Sequence, residues 1–192
     1  MRVGVLSVQG AFAEMAAHFR AQGAETFEIR QRADLERGMD LLALPGGEST
    51  VQGKLLKELG LFEPLKGSID GGLPTFAVCA GLILLAACVE EGVGDRSAST
   101  QAVKRSRWFG SLPVTVRRNA YGRQLGSFTT VGPFDGKPDV PMTFIRAPAI
   151  VAASPEVEVL STFGGRPTAV RWRNITAFTW HPELNLRKGL RR

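Results

Sequence analysis

Apolar residues in the first 90 positions come in short runs that alternate with stretches of helical period. Residues 3–8 (Val-Gly-Val-Leu-Ser-Val) are nearly continuous, as in a strand buried on both faces of a parallel sheet. After the turn Gln9-Gly10-Ala11, the residues Phe12, Met15, Ala16 and Phe19 recur at helical spacing, with Gly23 closing the helix. Strands follow at 26–29 and 40–44, the second stopping at Pro45-Gly46-Gly47. Ser49 or Thr50 then caps a helix containing Val51, Leu55, Leu56 and Leu59. A short helix at 62–69 leads through Gly71-Gly72 to an apolar strand ending at Cys79, and an apolar helix follows. From Ser111 the pattern changes to short strands at 112–116, 125–131, 142–145, 157–162, 168–172 and 175–179. Asn119 to Gly122 and Gly164-Gly165 mark turns, and the polar stretch 90–107 reads as a mobile surface loop. This order predicts a three-layer α/β fold with a mainly parallel central sheet flanked by helices and additional antiparallel strands. With no repeat and no linker, residues 1–192 read as a single domain.

Composition narrows the class. The 192 residues are 44% hydrophobic and 22% charged, as in a soluble globular protein. No apolar run approaches the roughly 20 residues of a membrane span, and the N-terminus enters a strand without a leader pattern. Cys79 and Cys88 make no disulfide framework; nine residues apart on one apolar helix they are not expected to pair. A cytoplasmic location is the expectation. The net charge of +6 is concentrated at 104–107, at Arg117-Arg118 and in the tail. Without a nucleic-acid module or interleaved aromatics, it reads as a solvated or partner-facing surface, with neither nucleic acid nor membrane as a partner.

Candidate chemistry begins at Cys79. A cysteine between Ala77 and Ala80-Gly81, at a strand-to-helix corner, has the pattern of a nucleophile elbow with sulfur in place of oxygen. A helix N-terminus there favours the thiolate. Cys79 alone is equally compatible with a buried core cysteine. His181-Pro182-Glu183 changes that balance. Two residues apart in an extended segment, a histidine and a carboxylate face the same side. A cysteine nucleophile needs an imidazole to handle its proton and an acceptor to orient the imidazole. Gly47, ending a strand at the sheet's carboxyl edge, and Ala80, following the cysteine, offer backbone N–H groups for an oxyanion hole. His18, on or beside the apolar stripe of the first helix, reads as structural. Neither a metal nor a cofactor is expected.

Five motifs in order then resemble one family: Pro-Gly-Gly-Glu-Ser-Thr at 45–50, Cys-Ala-Gly-Leu-Ile at 79–83, Arg-Asn-Ala-Tyr-Gly-Arg-Gln at 118–124, Phe-Ile-Arg-Ala-Pro at 144–148, and His-Pro-Glu-Leu at 181–184. The chain resembles the class I, triad-type glutamine amidotransferases over nearly its whole length, and within them the glutaminase subunits of two-protein pyridoxal 5′-phosphate synthases. The resemblance implies a flavodoxin-like fold and hydrolysis of L-glutamine to L-glutamate and ammonia, with Cys79, His181 and Glu183 as the triad and Gly47 and Ala80 at the oxyanion. It implies a glutamine site of Gly47, Glu48, Ser49, Arg118, Ile145 and Arg146, without assigning which arginine meets the substrate carboxylate. It also implies a partner synthase subunit, a (β/α)8 barrel receiving the ammonia for vitamin B6 biosynthesis, with Gln9, Gly10 and Ala11 near the partner face.

The chain departs from the family in four places. Ala77 stands where family elbows usually carry glycine, and Met15 replaces a polar residue of the first helix. Residues 104–107 are unusually basic. The family's C-terminal helix is missing after about residue 184, which predicts an apolar patch exposed or covered by the partner. Three alternatives remain at this point. One is a docking subunit without turnover, the second a glutaminase subunit of another ammonia-channelling synthase, the third a cysteine-elbow hydrolase acting on a different amide.

Overall fold

Strand β1 (Arg2–Leu6) is the strand from which the main sheet grows in both directions. The computed structural model describes residues 1–91, 105–118 and 127–188. From β1 the chain passes through α1 (Phe12–Ala21) to β2 (Glu25–Ile29) on one side, and then to β3 (Leu41–Leu44) on the other. Both pair with β1 in parallel. Helices α2 (Ser49–Glu58) and α3 (Phe62–Asp70) lead to β4 (Thr75–Val78), parallel to β3. After α4 (Ala80–Leu85) come β5 (Ala86–Glu90), β6 (Arg105–Ser106) and β7 (Leu112–Arg117), the frame of a second sheet. The hairpin β8 (Ser127–Phe134) and β9 (Lys137–Ile145) follows, and β10 (Ala149–Ala153) then pairs with β7. Strands β11 (Glu158–Phe163), β12 (Arg166–Trp172) and β13 (Ile175–Phe178) return to the main sheet, whose order is β11-β12-β13-β4-β3-β1-β2. Of its strands only β12 is reversed, antiparallel to both β11 and β13.

The apolar runs of the inner strands supply both faces at once. In β3 the wholly buried Leu42 and Leu44 join the core beneath α2 and α3, with Leu56, Leu61, Leu65 and Ile69. Ala43 between them joins the opposite core with Met15, Ala16 and Phe19 of α1. Ala77 and Val78 of β4 divide in the same way. Side chains alternate along a strand, so a strand covered on both faces needs apolar residues at every position.

Several sequence expectations need correction. The apolar stretch after Cys79 is not one helix: it ends at Leu85, and Ala86 is extended with φ −57° and ψ 137°. Cys88 therefore lies on strand β5, and both cysteines are free. A continuous apolar run has no period to separate a buried helix from a buried strand. Residues 149–153 form a strand that the pattern did not predict. The proposed loop 90–107 lies mostly outside the described residues; at its ends, Glu90 pairs with Arg105 and Val89 with Ser106 in a ladder. The proposed turn at 119–122 lies outside them too. At Gly164 and Gly165 the φ values of 57° and 73° fit the predicted turn. Among the described residues no helix is long and apolar enough to cross a membrane.

Because β1 lies between β2 and β3, the connections leaving the carboxyl ends of β1 and β3 diverge to opposite faces of the sheet and leave a crevice there. The segments 7–11 and 45–48 meet in it. The Ala11 N–H donates to the Gly46 carbonyl at 2.9 Å, and the Glu48 N–H donates to Gln9 Oε1 at 2.8 Å. The buried Gln52 donates from Nε2 to the Gln9 carbonyl at 2.9 Å, binding α2 to the same crossing.

Candidate active site

Cys79 occupies the corner between β4 and α4 with φ 48° and ψ −98°, a conformation an L-residue adopts only under constraint. The constraint is visible on both sides. The Cys79 N–H donates to the Phe178 carbonyl at 2.8 Å, and its carbonyl accepts from the Ile83 N–H at 3.1 Å. Gly81 packs so closely on β3 that a Cβ there would sit 2.4 Å from the Leu44 carbonyl oxygen. Ala77 causes no strain, because it lies within β4 and outside the positive-φ region. With six residues, α4 supplies less field at the sulfur than the longer helix that the sequence predicts.

His181 follows β13 and is 6% exposed; its N–H donates to the Thr143 carbonyl of β9 at 2.8 Å. Its Nδ1 lies 2.7 Å from Glu183 Oε1, and the Glu183 side chain is wholly buried. The pairing expected from sequence is present, but by a different geometry. Glu183 lies in a 3-10 turn, Pro182–Lys188, not in an extended segment, and the chain curls to bring the carboxylate under the imidazole. Burial by itself would lower the His181 pKa. Hydrogen bonds to Cys79 and Glu183, with the charge of each, outweigh it and raise the pKa to about 10. His181 is thus held as an imidazolium against the sulfur, the partner that activates a cysteine nucleophile.

The sulfur opens into a cleft of about 540 Å³. Gly47, Glu48, Ser49, Arg118, Ile145 and Arg146, all expected at the substrate site, line it with Cys79 and His181. Gln9 and Ala11 are on its wall; Gly10, Ala80 and Glu183 are not. The glycines are sterically required. A Cβ on Gly46 would lie 2.5 Å from His181 Cε1, and one on Gly47 2.6 Å from Gln9 Oε1. Since the Gly46 carbonyl points to Ala11 and the peptide is trans, the Gly47 N–H points away from Ala11.

Glu48 caps α2, the role expected of Ser49 or Thr50. It accepts from the Thr50 N–H at 3.4 Å and the Val51 N–H at 3.0 Å. Its Oε1 also accepts from Arg118 Nη2 at 2.6 Å, while Arg118 Nη1 donates to Thr50 Oγ1 at 2.9 Å and to Glu91 at 3.4 Å. Arg146, with φ 42°, has no hydrogen-bond or ion-pair partner among the described residues. His18 is half-buried, stacked on Phe76 and edge-on to Phe19; burial lowers its pKa, partly opposed by the charge of Glu183.

Sequence reasoning missed Gln52, Glu91, Thr143 and Asn185. Gln52 and Thr143 give no local signal, since a polar residue in an amphipathic segment is ordinarily solvated. A second depression of about 610 Å³ beside β2 is lined by Arg20, Arg30 and Arg37 with Glu28 and Asp34, and holds no nucleophile. No group of three or more His, Cys, Asp or Glu among the described residues is placed to hold a metal.

Known proteins resemble the chain at every level of this description. A pyridoxal 5′-phosphate synthase subunit PdxT of Desulfitobacterium hafniense (strain DSM 10664 / DCB-2) is 50% identical over 185 residues, covering 96% of this chain and 87% of that protein. The PdxT of Methanocorpusculum labreanum is 47% identical, covering 96% and 90%. A crystal structure of a glutamine amidotransferase superposes with TM-score 0.82 at 37% identity, covering 95% of this chain and 90% of the other. Another glutamine amidotransferase, from Thermotoga maritima, shares the fold with TM-score 0.61 at 15% identity. Residues 5–189 match a family in their own right, and the chain belongs to that SNO glutamine amidotransferase family.

Proposed function

We propose that this protein is the glutaminase subunit of a pyridoxal 5′-phosphate synthase, with Cys79, His181 and Glu183 as its catalytic residues. The observation that carries the assignment is the constrained Cys79 corner facing an imidazolium whose far nitrogen lies 2.7 Å from a buried carboxylate. The Cys79 thiolate attacks the side-chain amide carbon of L-glutamine. The oxyanion is held by the N–H groups of Gly47 and of Ala80, the latter at a helix start where no intrahelical acceptor exists. The tetrahedral intermediate collapses with cleavage of the C–N bond, and His181 gives its proton to the departing ammonia. Neutral His181 then takes a proton from water, which attacks the γ-glutamyl thioester and releases L-glutamate and the thiolate. Glu183 stabilises the imidazolium at both stages.

Gly47, Glu48, Ser49, Arg118, Ile145 and Arg146 form the proposed glutamine site. The half-exposed segment Gln9-Gly10-Ala11, bonded to the Gly46–Glu48 loop, is the proposed contact with a synthase subunit that uses the ammonia. That subunit is expected to be a (β/α)8 barrel. The test is ammonia release from glutamine with and without the cognate synthase subunit. Activity that rises with the partner and vanishes in Cys79→Ala is expected; silence in both conditions with binding retained overturns the assignment.

A further inference from the structure

Glu183 presents a positioning problem. Its carboxylate is wholly buried, Oε1 is taken by His181, and Oε2 has no hydrogen-bond partner among the described residues. A carboxylate held by one side-chain bond takes its place from the backbone that carries it, here the 3-10 turn Pro182–Lys188. What anchors that turn is β9. Two residues before Glu183, the His181 N–H donates to the Thr143 carbonyl at 2.8 Å. Two residues after it, Asn185 Oδ1 accepts from Thr143 Oγ1 at 2.8 Å, and Asn185 Nδ2 donates to the Pro141 carbonyl at 2.6 Å. Thr143 thus grips the turn on both sides of the carboxylate, once through its backbone and once through its side chain.

The same strand reaches the cleft. Met142 and Phe144 are wholly buried and face the core, so Thr143 and Ile145 share the other face. Ile145 and Arg146, at the end of β9, line the substrate cleft. We infer that Thr143 and Asn185 are positioning residues, a latch that sets the Glu183 carboxylate against His181 and ties it to the strand bearing the substrate wall. This inference rests on the triad assignment above and adds two residues to it.

The test is steady-state glutaminase kinetics in the assembled complex. Thr143→Val keeps shape and the backbone bond but loses the hydroxyl; Thr143→Ser keeps the hydroxyl; Asn185→Ala removes both side-chain bonds. The titratable or charged groups around the pair are Cys79 at the corner, His18 and Glu14 on α1, and Arg146, Glu48 and Arg118 lining the cleft. None is altered. With the latch open, Glu183 meets His181 less of the time and the imidazolium holds its proton less firmly. Thr143→Val and Asn185→Ala are each expected to lower kcat by about 10- to 100-fold with KM little changed. Each also moves the alkaline limb of the kcat/KM profile down by about one pH unit. Thr143→Ser stays near wild type. A wild-type pH profile in either folded variant overturns the latch, even where stability has dropped, because a merely structural bond does not move that limb. The two substitutions lie on different elements, so each decides alone. A wild type that is silent alongside Cys79→Ala fails the glutaminase reading, whereas an active wild type with unaffected variants fails only the latch.

Discussion

Gly81→Ala is the sharpest test of how the elbow is built. A Cβ at residue 81 would meet the Leu44 carbonyl oxygen at 2.4 Å, Leu44 Cβ at 2.8 Å and Leu44 C at 2.9 Å. None of these atoms is the far end of a flexible side chain. Leu44 is paired with Ala77 in the middle of the parallel sheet, so β3 has no room to retreat. The relief must come from α4, which has to lift by about 1 Å to restore ordinary contact near 3.4 Å. Overpacking of this kind costs about 1–3 kcal/mol, and the better helix propensity of alanine returns about 1 kcal/mol. Net stability should therefore fall by no more than about 2 kcal/mol. Activity should suffer more. Cys79 and the Ala80 N–H are the residues immediately before the lifted one, and a misplacement of about 1 Å costs about 100-fold in rate, equivalent to about 2.7 kcal/mol in the barrier. Urea midpoints and ammonia release in the complex measure the two separately. A Gly81→Ala protein with wild-type turnover would refute the claim that α4 is held at its closest approach to β3. Equal losses in stability and activity would refute the claim that the catalytic corner bears the displacement.

Further outcomes follow from other contacts of the cleft. Gly46→Ala places a methyl 2.5 Å from His181 Cε1; with folding retained by circular dichroism, kcat should drop at least about tenfold as the imidazole is pushed off the sulfur. Glu48→Ala removes the cap of α2 and should cost about 1 kcal/mol in urea denaturation. The same substitution releases Arg118 and should raise KM for glutamine more than it lowers kcat. His18 binds a proton less readily in the folded than in the unfolded protein, so stability is lost as pH falls through its ordinary value near 6.5. His18→Leu should therefore flatten the decline in urea midpoint between pH 7.5 and pH 5, and an unchanged slope would sink that reading.

The inner strands were legible in the sequence because burial on both faces demands unbroken apolar runs, which β1, β3 and β4 carry. Cys79 and His181-Pro182-Glu183 were legible because their residue types are chemically complementary whatever the geometry between them. That geometry was not legible. The extended spacing argument brought Glu183 to His181 by the wrong conformation, since a 3-10 turn depends on Asn185 reaching Thr143, 42 residues away in sequence. Strand β5 escaped because Ala86 to Val89 is apolar at every position and its partner β7 begins at Leu112. Glu48 was misjudged for a similar reason. Its neighbours Ser49 and Thr50 are the commoner capping types, and only the path of the chain out of Gly47 decides which residue comes first.

The place of Glu48 bears on how the proposed glutamine site would recognise an amino acid. A carboxylate at the cleft wall invites assignment to the substrate ammonium. Glu48, however, already accepts from two backbone N–H groups and from Arg118. Its partner is similarly engaged, with Arg118 Nη1 on Thr50 and Glu91. These bonds hold the guanidinium plane in one orientation before any ligand arrives. The rotamer entropy that a free arginine surrenders on binding a carboxylate, about 0.5–1.5 kcal/mol for such a side chain, is then largely spent in the folded protein. Arg146, exposed at the cleft and without a partner among the described residues, keeps that freedom. Arg118 is therefore the better placed of the two to fix the orientation of a carboxylate in the proposed glutamine site, where Glu48 would act through it. Arg118→Lys keeps the charge but loses the fork that meets Glu48 and Thr50 together. In competition assays it should weaken discrimination between glutamine and analogues lacking the α-carboxylate, while Arg146→Lys should leave that discrimination nearly intact. The reverse ranking would assign the carboxylate to Arg146 and return Glu48 to the ammonium.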